Sequence, residues 1–315
     1  MKQENQTTRP APVALRFWIK AFRLHFVPPS VLPAILGAVI AWSQGHPVIP
    51  LALLLVVAGV ALNHIGLNMI DDVFDHLHVI DGIETSTGKN PFTGGSGVLT
   101  EGLLTVRQMT TVACLCFSLT AAIGLYLTYA CGILVLLFGI FGMASSVLYT
   151  MPPIKFVYRG WGEAAHLVNF GPVILLGSYV VQTGRLSWEP FLVSLVPGFW
   201  MWSMILVNEI PDHDADRAGG KNNLVVRLGR ETARTLYMGG LFMAYFIPVA
   251  GTLLQILSPF TLLALSSLPL AWRSVRILST HLYDPPGMAP ANLATIQAHA
   301  LSCTALIVAY LVQGI

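Results

Sequence analysis

Nine apolar stretches, each long enough to cross a bilayer, constrain this chain more than any other feature of its sequence. They fall at roughly 24–43, 50–70, 107–128, 131–150, 163–182, 189–209, 234–256, 259–278 and 293–313. About 20 apolar residues span the hydrocarbon core as a helix, whereas a barrel strand needs only about 9–11. In lipid every backbone N–H and C=O must find its partner within the chain, so stretches of this length form α-helices. The expected fold class is therefore all-α, a polytopic membrane protein with nine transmembrane helices around a central cavity. Only 10% of the 315 residues are charged, against about 25% in soluble proteins, which excludes a soluble domain. Residues 1–15 are polar and then Pro-rich and are expected to form a disordered cytoplasmic tail, with 16–315 a single transmembrane domain.

Orientation follows from the basic residues, because Lys and Arg collect on the cytoplasmic side. With the N-terminus inside, 16 of the 17 Lys and Arg fall in cytoplasmic loops and only Arg185 lies outside. The reading is a multi-pass protein of the cell inner (plasma) membrane, its C-terminus on the opposite side. The net charge of +2 gives no reason to expect a nucleic-acid partner; the lipid bilayer is the expected surroundings. Cys114, Cys116, Cys131 and Cys303 lie in or beside apolar segments without metal-ligand spacing and read as packing residues.

Two acidic patches sit at the cytoplasmic ends of apolar runs, NMIDDVFDHLHVID from Asn68 to Asp81 and NEIPDHDADRAGGK from Asn208 to Lys221. Asn68, Asp72 and Asp75, spaced four and three, share one face of a helix, as do Asn208, Asp212 and Asp216, spaced four and four. A carboxylate at a membrane-helix centre costs about 2.5–3.5 kcal/mol on the mildest scale, so two such clusters imply a site that offsets the cost. Mg²⁺ binds through one or two carboxylates plus substrate phosphates, which makes Asp72, Asp75, Asp212 and Asp216 the candidate metal ligands and catalytic residues. Lys89, Lys221 and the backbone amides of GGSG are placed to hold diphosphate oxygens. Neutralising that leaving group would let an allylic carbon–oxygen bond ionise. Each patch opens a loop that is acidic first, then basic and glycine-rich, a weak internal repeat suggesting two helical groups opposed across a cavity.

Other residues carry weaker signals. The segment YTMPPIKFVYRGWGE, with Tyr149, Lys155, Arg159 and Glu163, lies at the same mouth. Tyr149, Lys155 and Arg159 are candidate substrate contacts, with a plain positive-inside anchor as the alternative for the two basic residues. Asp71, Asp81, Glu84 and Asp214 read equally as solvated charges. His64, His166 and His299 read as hydrogen-bonded interior groups, and His76, His78 and His213 as polar loop neighbours. A transporter is the competing class, but the acidic residues lie at helix ends and no ionisable chain runs through the span centres.

The two motifs resemble those of the UbiA superfamily of intramembrane aromatic prenyltransferases, and most closely the 1,4-dihydroxy-2-naphthoate polyprenyltransferases of menaquinone biosynthesis. Their first motif, N-x-x-N-D-x-x-D followed by Asp six residues on, is met by Asn68, Asp72, Asp75 and Asp81. Their second is met by Asn208, Asp212, Asp216, Gly220, Lys221, Leu224, Val226, Arg227, Leu228 and Gly229. Asp71 stands where that group has Asn, Pro211 where it has Arg, and Asn223 where it has Thr. The resemblance implies nine helices, Mg²⁺ as cofactor, a polyprenyl diphosphate donor and an aromatic acceptor. With dihydroxynaphthoate it implies attack at the carboxylate-bearing carbon, loss of CO₂ and release of diphosphate. Hydroxybenzoate, homogentisate or a glycerol-phosphate lipid are the alternative acceptors.

Overall fold

The computed structural model describes residues 15–78, 90 and 92–315. The expected tail lies almost wholly outside these residues, as do Asp81, Glu84 and Lys89. Every regular element described is helical: α1 (Leu15–Phe22), α2 (Pro28–Ser43), α3 (Pro50–Leu77), α4 (Val106–Cys131) and α5 (Ile133–Thr150). They continue with α6 (Gly162–Thr183), α7 (Trp188–Ala218), α8 (Leu224–Leu228), α9 (Arg230–Leu253), α10 (Leu268–Thr280) and α11 (Ala289–Gln313). Prolines open α2 and α3 at positions where a helix has no use for the missing N–H. Thr105 and Gln108 close a reciprocal capping box at the start of α4.

Among the described residues, seven helices are long and apolar enough to cross a membrane. An eighth arises if the stretches Leu15–Phe26 and Pro28–Ser43, bent by 53° at their junction, form one span. The expected nine spans are thus not confirmed among the described residues. Over 259–278 the chain forms a 3₁₀ helix, Pro259–Ser267, that runs into the 13-residue α10. Pro269 stands in the first turn of α10, where a helix has no use for the missing N–H.

The helices are sorted by what they face. Two-thirds of the apolar stretch of α7 is buried, against 17% for α4, so α7 is the central helix and α4 faces lipid. Leu54, Leu125, Leu137 and Phe242 project outward on the lipid side. Lipid tails are as apolar as leucine, so helix association rests on close packing and interhelical hydrogen bonds of about 0.6 kcal/mol each. Ser203 Oγ donates to the Tyr237 carbonyl at 3.1 Å, and Tyr237 OH meets Ser274 Oγ at 2.7 Å and Thr295 Oγ1 at 2.9 Å. These tie α7, α9, α10 and α11 together.

Two lengths position the site. At 1.5 Å per residue, α3 with 28 residues and α7 with 31 are about 42 and 46 Å long. The hydrocarbon core is about 30 Å thick, so their last turns, which carry the acidic motifs, extend beyond the apolar layer. The backbones of α6 and α7 approach closely, where a Cβ on Gly171 would fall 2.5 Å from the Ser194 carbonyl and 2.7 Å from the Gly198 Cα. Gly171→Val is expected to destabilise the protein by about 3 kcal/mol or to prevent folding, read as a lowered melting temperature in detergent. An unchanged melting temperature would refute this packing.

Candidate active site

The motif residues of α3 divide between two directions. Asn68, Asp71 and Asp75 line a cavity at the end of the helix. Asp72 lies one step around, where its Oδ2 accepts the Ser96 N–H at 3.0 Å and its Oδ1 sits 3.6 Å from the Arg23 guanidinium. On α7, Asn208, Asp212 and Asp216 recur every fourth residue and all line the same cavity. The two patches, far apart in sequence, therefore face one space. Asp71, ranked below Asp72 from sequence, is the one of the pair that faces it.

A turn specified by two glycines delivers the cation. Past Ala218 the chain closes with Lys221 N–H to the Asp216 carbonyl at 2.8 Å and Gly220 N–H to Arg217 at 3.3 Å, with Gly220 at φ +78°. This Schellman cap needs the left-handed residue that glycine supplies. It swings Lys221 back over the helix end, where Nζ lies 2.7 Å from Asp75 Oδ2 and 4.0 Å from Asp216 Oδ1. Burial alone would lower its pKa, but Asp75, Asp71 and Asp216 outweigh that and hold it well above the ordinary lysine value. Asn223 caps α8 by accepting the Val226 N–H at 2.9 Å, while its Nδ2 donates to Asp216 Oδ2 at 2.7 Å. Loop 92–97 joins the patches from above, its Gly94 N–H donating to Asp212 Oδ2 at 2.9 Å and its Ser96 N–H to Asp72. The glycine-rich amides expected to hold a diphosphate thus hold the protein's own carboxylates.

Deeper walls are aromatic. Tyr149 packs edge-on to His166 at 5.0 Å, His166 stacks on Phe170 at 5.2 Å, and Phe170 meets His64 edge-on at 5.1 Å. His64 bonds Ser30, and His166 Nδ1 bonds the Gly162 carbonyl at 2.9 Å, so both are hydrogen-bonded as expected, yet both also line the cavity. His64 and Leu67 are shared with an apolar groove running between α3, α4, α5 and α6, lined by residues such as Leu55, Ile123, Phe138 and Gly139. A polar chamber and an apolar groove therefore adjoin at His64 and Leu67.

Lys155 and Arg159 do not join the site. Neither is among the residues that line the cavity; Lys155 takes a left-handed conformation (φ 52°) at the start of the 3₁₀ helix Phe156–Arg159. Lys155 Nζ lies over the Tyr158 ring at 4.9 Å, and Arg159 donates to the Pro153 carbonyl at 3.1 Å.

A profile of the UbiA prenyltransferase family matches residues 30–289, most of the chain. The protein belongs to that family. It is a prenyltransferase, 30% identical over 260 residues to the 1,4-dihydroxy-2-naphthoate octaprenyltransferase of Mycobacterium tuberculosis, covering 82% of this chain and 84% of that protein. To the Escherichia coli protein of the same name it is 28% identical over 288 residues, 90% of this chain and 92% of that one. In fold it matches a UbiA homologue of Archaeoglobus fulgidus, solved bound to DMAPP and Mg²⁺, with a TM-score of 0.63 at 13% identity. That match covers 92% of this chain and 98% of the other.

Several residues of this UbiA enzyme's cavity carry no sequence signal of their own. Arg23 lines it, although in sequence it is one of five N-terminal basic residues. Glu209 lines it with both carboxylate oxygens buried and without a donor, beside Glu163. Asn292, wholly buried in α11, donates to Asn208 Oδ1 at 2.8 Å; a lone amide at the start of an apolar span was the available hint. Among the described residues no three acidic, imidazole or thiol groups already converge as a metal cage; the Lys221 ammonium stands between the patches instead. Asp71 Oδ1 and Asp75 Oδ1 are buried without a hydrogen-bond donor, and no cysteine lines the cavity. Such an all-oxygen set suits a hard divalent cation.

Removing one partner of a buried ion pair leaves the other uncompensated, so Lys221→Met is expected to cost about 3–5 kcal/mol, measured as the shift in melting temperature at neutral pH. Because the folded-state pKa is raised, this stabilisation is fully present below the ordinary lysine value of about 10.4. It is lost only as pH rises through the higher folded value. The wild-type-minus-variant difference should persist as pH rises from 7 to 9, and its loss over that rise would contradict the pairing.

Proposed function

We propose that this enzyme transfers a polyprenyl group from an isoprenyl diphosphate to 1,4-dihydroxy-2-naphthoate, with Mg²⁺, at the cytoplasmic face of the plasma membrane. The observation that carries the reading is the cavity itself: two acidic patches share it with one ammonium, and it adjoins an apolar groove lined by α3, α4, α5 and α6. The naphthoate-specific relatives support the acceptor, and the E. coli protein of that name matches over nine-tenths of this chain.

In this reading Asp75, Asp212 and Asp216, with Asp71, hold the metal, while Asp72 anchors loop 92–97 through Ser96. When bound, Mg²⁺ supplies charge neutralisation on the leaving diphosphate. Lys221 turns from Asp75 toward phosphate oxygens, and Asn68 and Asn208 contact the same group. Lys89, outside the described residues, is a further candidate phosphate contact. The prenyl tail lies in the apolar groove. The faces and edges of Tyr149, His166, Phe170 and His64 exclude water and stabilise the allylic cation. The electron-rich ring carbon attacks that cation, a carbon–carbon bond forms, and the ring carboxylate leaves as CO₂.

Two measurements test it. With purified enzyme and a prenyl donor, dihydroxynaphthoate should yield a decarboxylated product by mass, and hydroxybenzoate, homogentisate and glycerol-phosphate lipid should not; product only with one of those would overturn the acceptor. Asp75→Asn and Asp212→Asn should each lower turnover roughly 10²–10³-fold, and near-normal rates would refute the metal assignment. A third variant tests the groove. A Cβ on Gly139 would meet nothing within 4 Å, so Gly139→Phe should fill the channel, raising KM for a long-chain donor about tenfold while sparing geranyl diphosphate; equal effects on both donors would count against it.

A further inference from the structure

We infer that Asn208 meets the diphosphate as an N–H donor, and that Pro211 and Asn292 set this polarity; the inference rests on the diphosphate reading above. Pro211 lies inside α7 and has no N–H, so the carbonyl of Val207, four residues back, receives no helical bond. Asn292 fills that vacancy, its Nδ2 donating to Val207 O at 2.9 Å. Only the NH₂ side of an amide can meet a carbonyl, so the backbone fixes which way Asn292 faces. Its NH₂ also donates to Asn208 Oδ1 at 2.8 Å.

The other end is anchored as well. Asn292 Oδ1 accepts from Asn90 Nδ2 at 3.0 Å, Asn90 Nδ2 also donates to the Pro285 carbonyl at 3.1 Å, and Asn90 Oδ1 accepts the Phe92 N–H at 3.0 Å. Asn90, Asn292 and Asn208 form a chain of amides held at one end by a backbone N–H and at the other by a backbone carbonyl. No member can flip without setting oxygen against oxygen or NH₂ against N–H. With Oδ1 drawn toward α11, Asn208 presents its NH₂ to the cavity. Asn68, across the cavity, likewise has a buried Nδ2 without an acceptor. The two motif asparagines are thus a pair of donors suited to phosphate oxygens, while the carboxylates beside them serve cations. Asn292 itself touches no substrate and is a positioning residue.

The test uses full-length enzyme in nanodiscs with Mg²⁺ and a thio-bridged geranyl diphosphate that cannot ionise, its Kd measured by calorimetry. Asn292→Asp offers no N–H, so Asn208 turns its NH₂ toward the new carboxylate and its oxygen toward the cavity. The Kd should rise roughly 10- to 100-fold. Pro211→Ala returns an N–H to Val207 and releases Asn292, so affinity should fall while the melting temperature holds or rises, a separation that a merely structural role does not produce. Asn208→Asp should weaken the analogue yet strengthen Mg²⁺ binding measured without it. Affinities within twofold of wild type in both Asn292→Asp and Pro211→Ala, or tighter analogue binding in Asn208→Asp, would overturn the inference. If Asn292→Asp shows no melting transition, Pro211→Ala and Asn208→Asp decide by the same criteria. Failure of the wild type itself to bind the analogue would instead reject the diphosphate reading.

Discussion

Carboxylates gathered at the edge of an apolar layer repel one another unless a cation stands among them, and in this protein that cation is Lys221. It reaches Asp75 from the end of α7, so a single contact of 2.7 Å joins two motifs more than a hundred residues apart. The remaining acidic oxygens are distributed by neutral donors, Gly94 to Asp212, Ser96 to Asp72 and Asn223 to Asp216. Arg23 adds a second cation at the rim. Asp71, Asp75, Glu209, Asp212 and Asp216 line the chamber against two cations, Lys221 and Arg23, so in the proposed reading an anionic diphosphate needs cations of its own. This balance is a second argument, beside the all-oxygen lining, for the divalent metal of the proposed reading.

The same chamber has a dry side. The π-turn at Asn169–Val173, opened by Pro172, carries Phe170 between the two histidines, and the polar cavity gives way there to the apolar groove. His64 and Leu67 belong to both spaces. In the proposed reading, a substrate with a charged head and an isoprenoid tail would lie across that boundary with its reactive carbon at the aromatic strip, so that head, scissile bond and tail would meet three different kinds of surface.

What could be read in the sequence was what local geometry dictates. Spacings of three and four put Asn68 and Asp75, and Asn208, Asp212 and Asp216, on single helix faces whatever the rest of the chain does. Which of Asp71 and Asp72 faces the cavity depends on the roll of α3 against its neighbours, which no spacing records. Lys155 and Arg159 fell in the same loop group as the motifs, but a charge count does not say where a side chain points, and neither lines the cavity. The glycine-rich amides did serve anions, as their chemistry suggested, only the anions were Asp72 and Asp212. Arg23, Asn90, Asn292 and Glu209 became visible once distant helices were packed together. Over 259–278 hydropathy marked an apolar helical stretch, but the switch from 3₁₀ to α-helix within it left no mark on a hydropathy count.

Prolines recur inside the helices of this fold, at Pro33, Pro197, Pro211 and Pro248. Each frees one carbonyl, and in a membrane an unbonded carbonyl is costly. Among the described residues, Val207 is the carbonyl freed in this way that meets a side-chain amide from another helix. The break sits one turn from Asp212, where a regular helix would have left Asn208 free to rotate its amide either way. A missing N–H within a catalytic motif is therefore converted, through Asn292, into a fixed direction for a hydrogen-bond donor. The same amide chain ends on loop 92–97, whose backbone already holds both acidic patches, so loop, last helix and motif are positioned by one set of bonds.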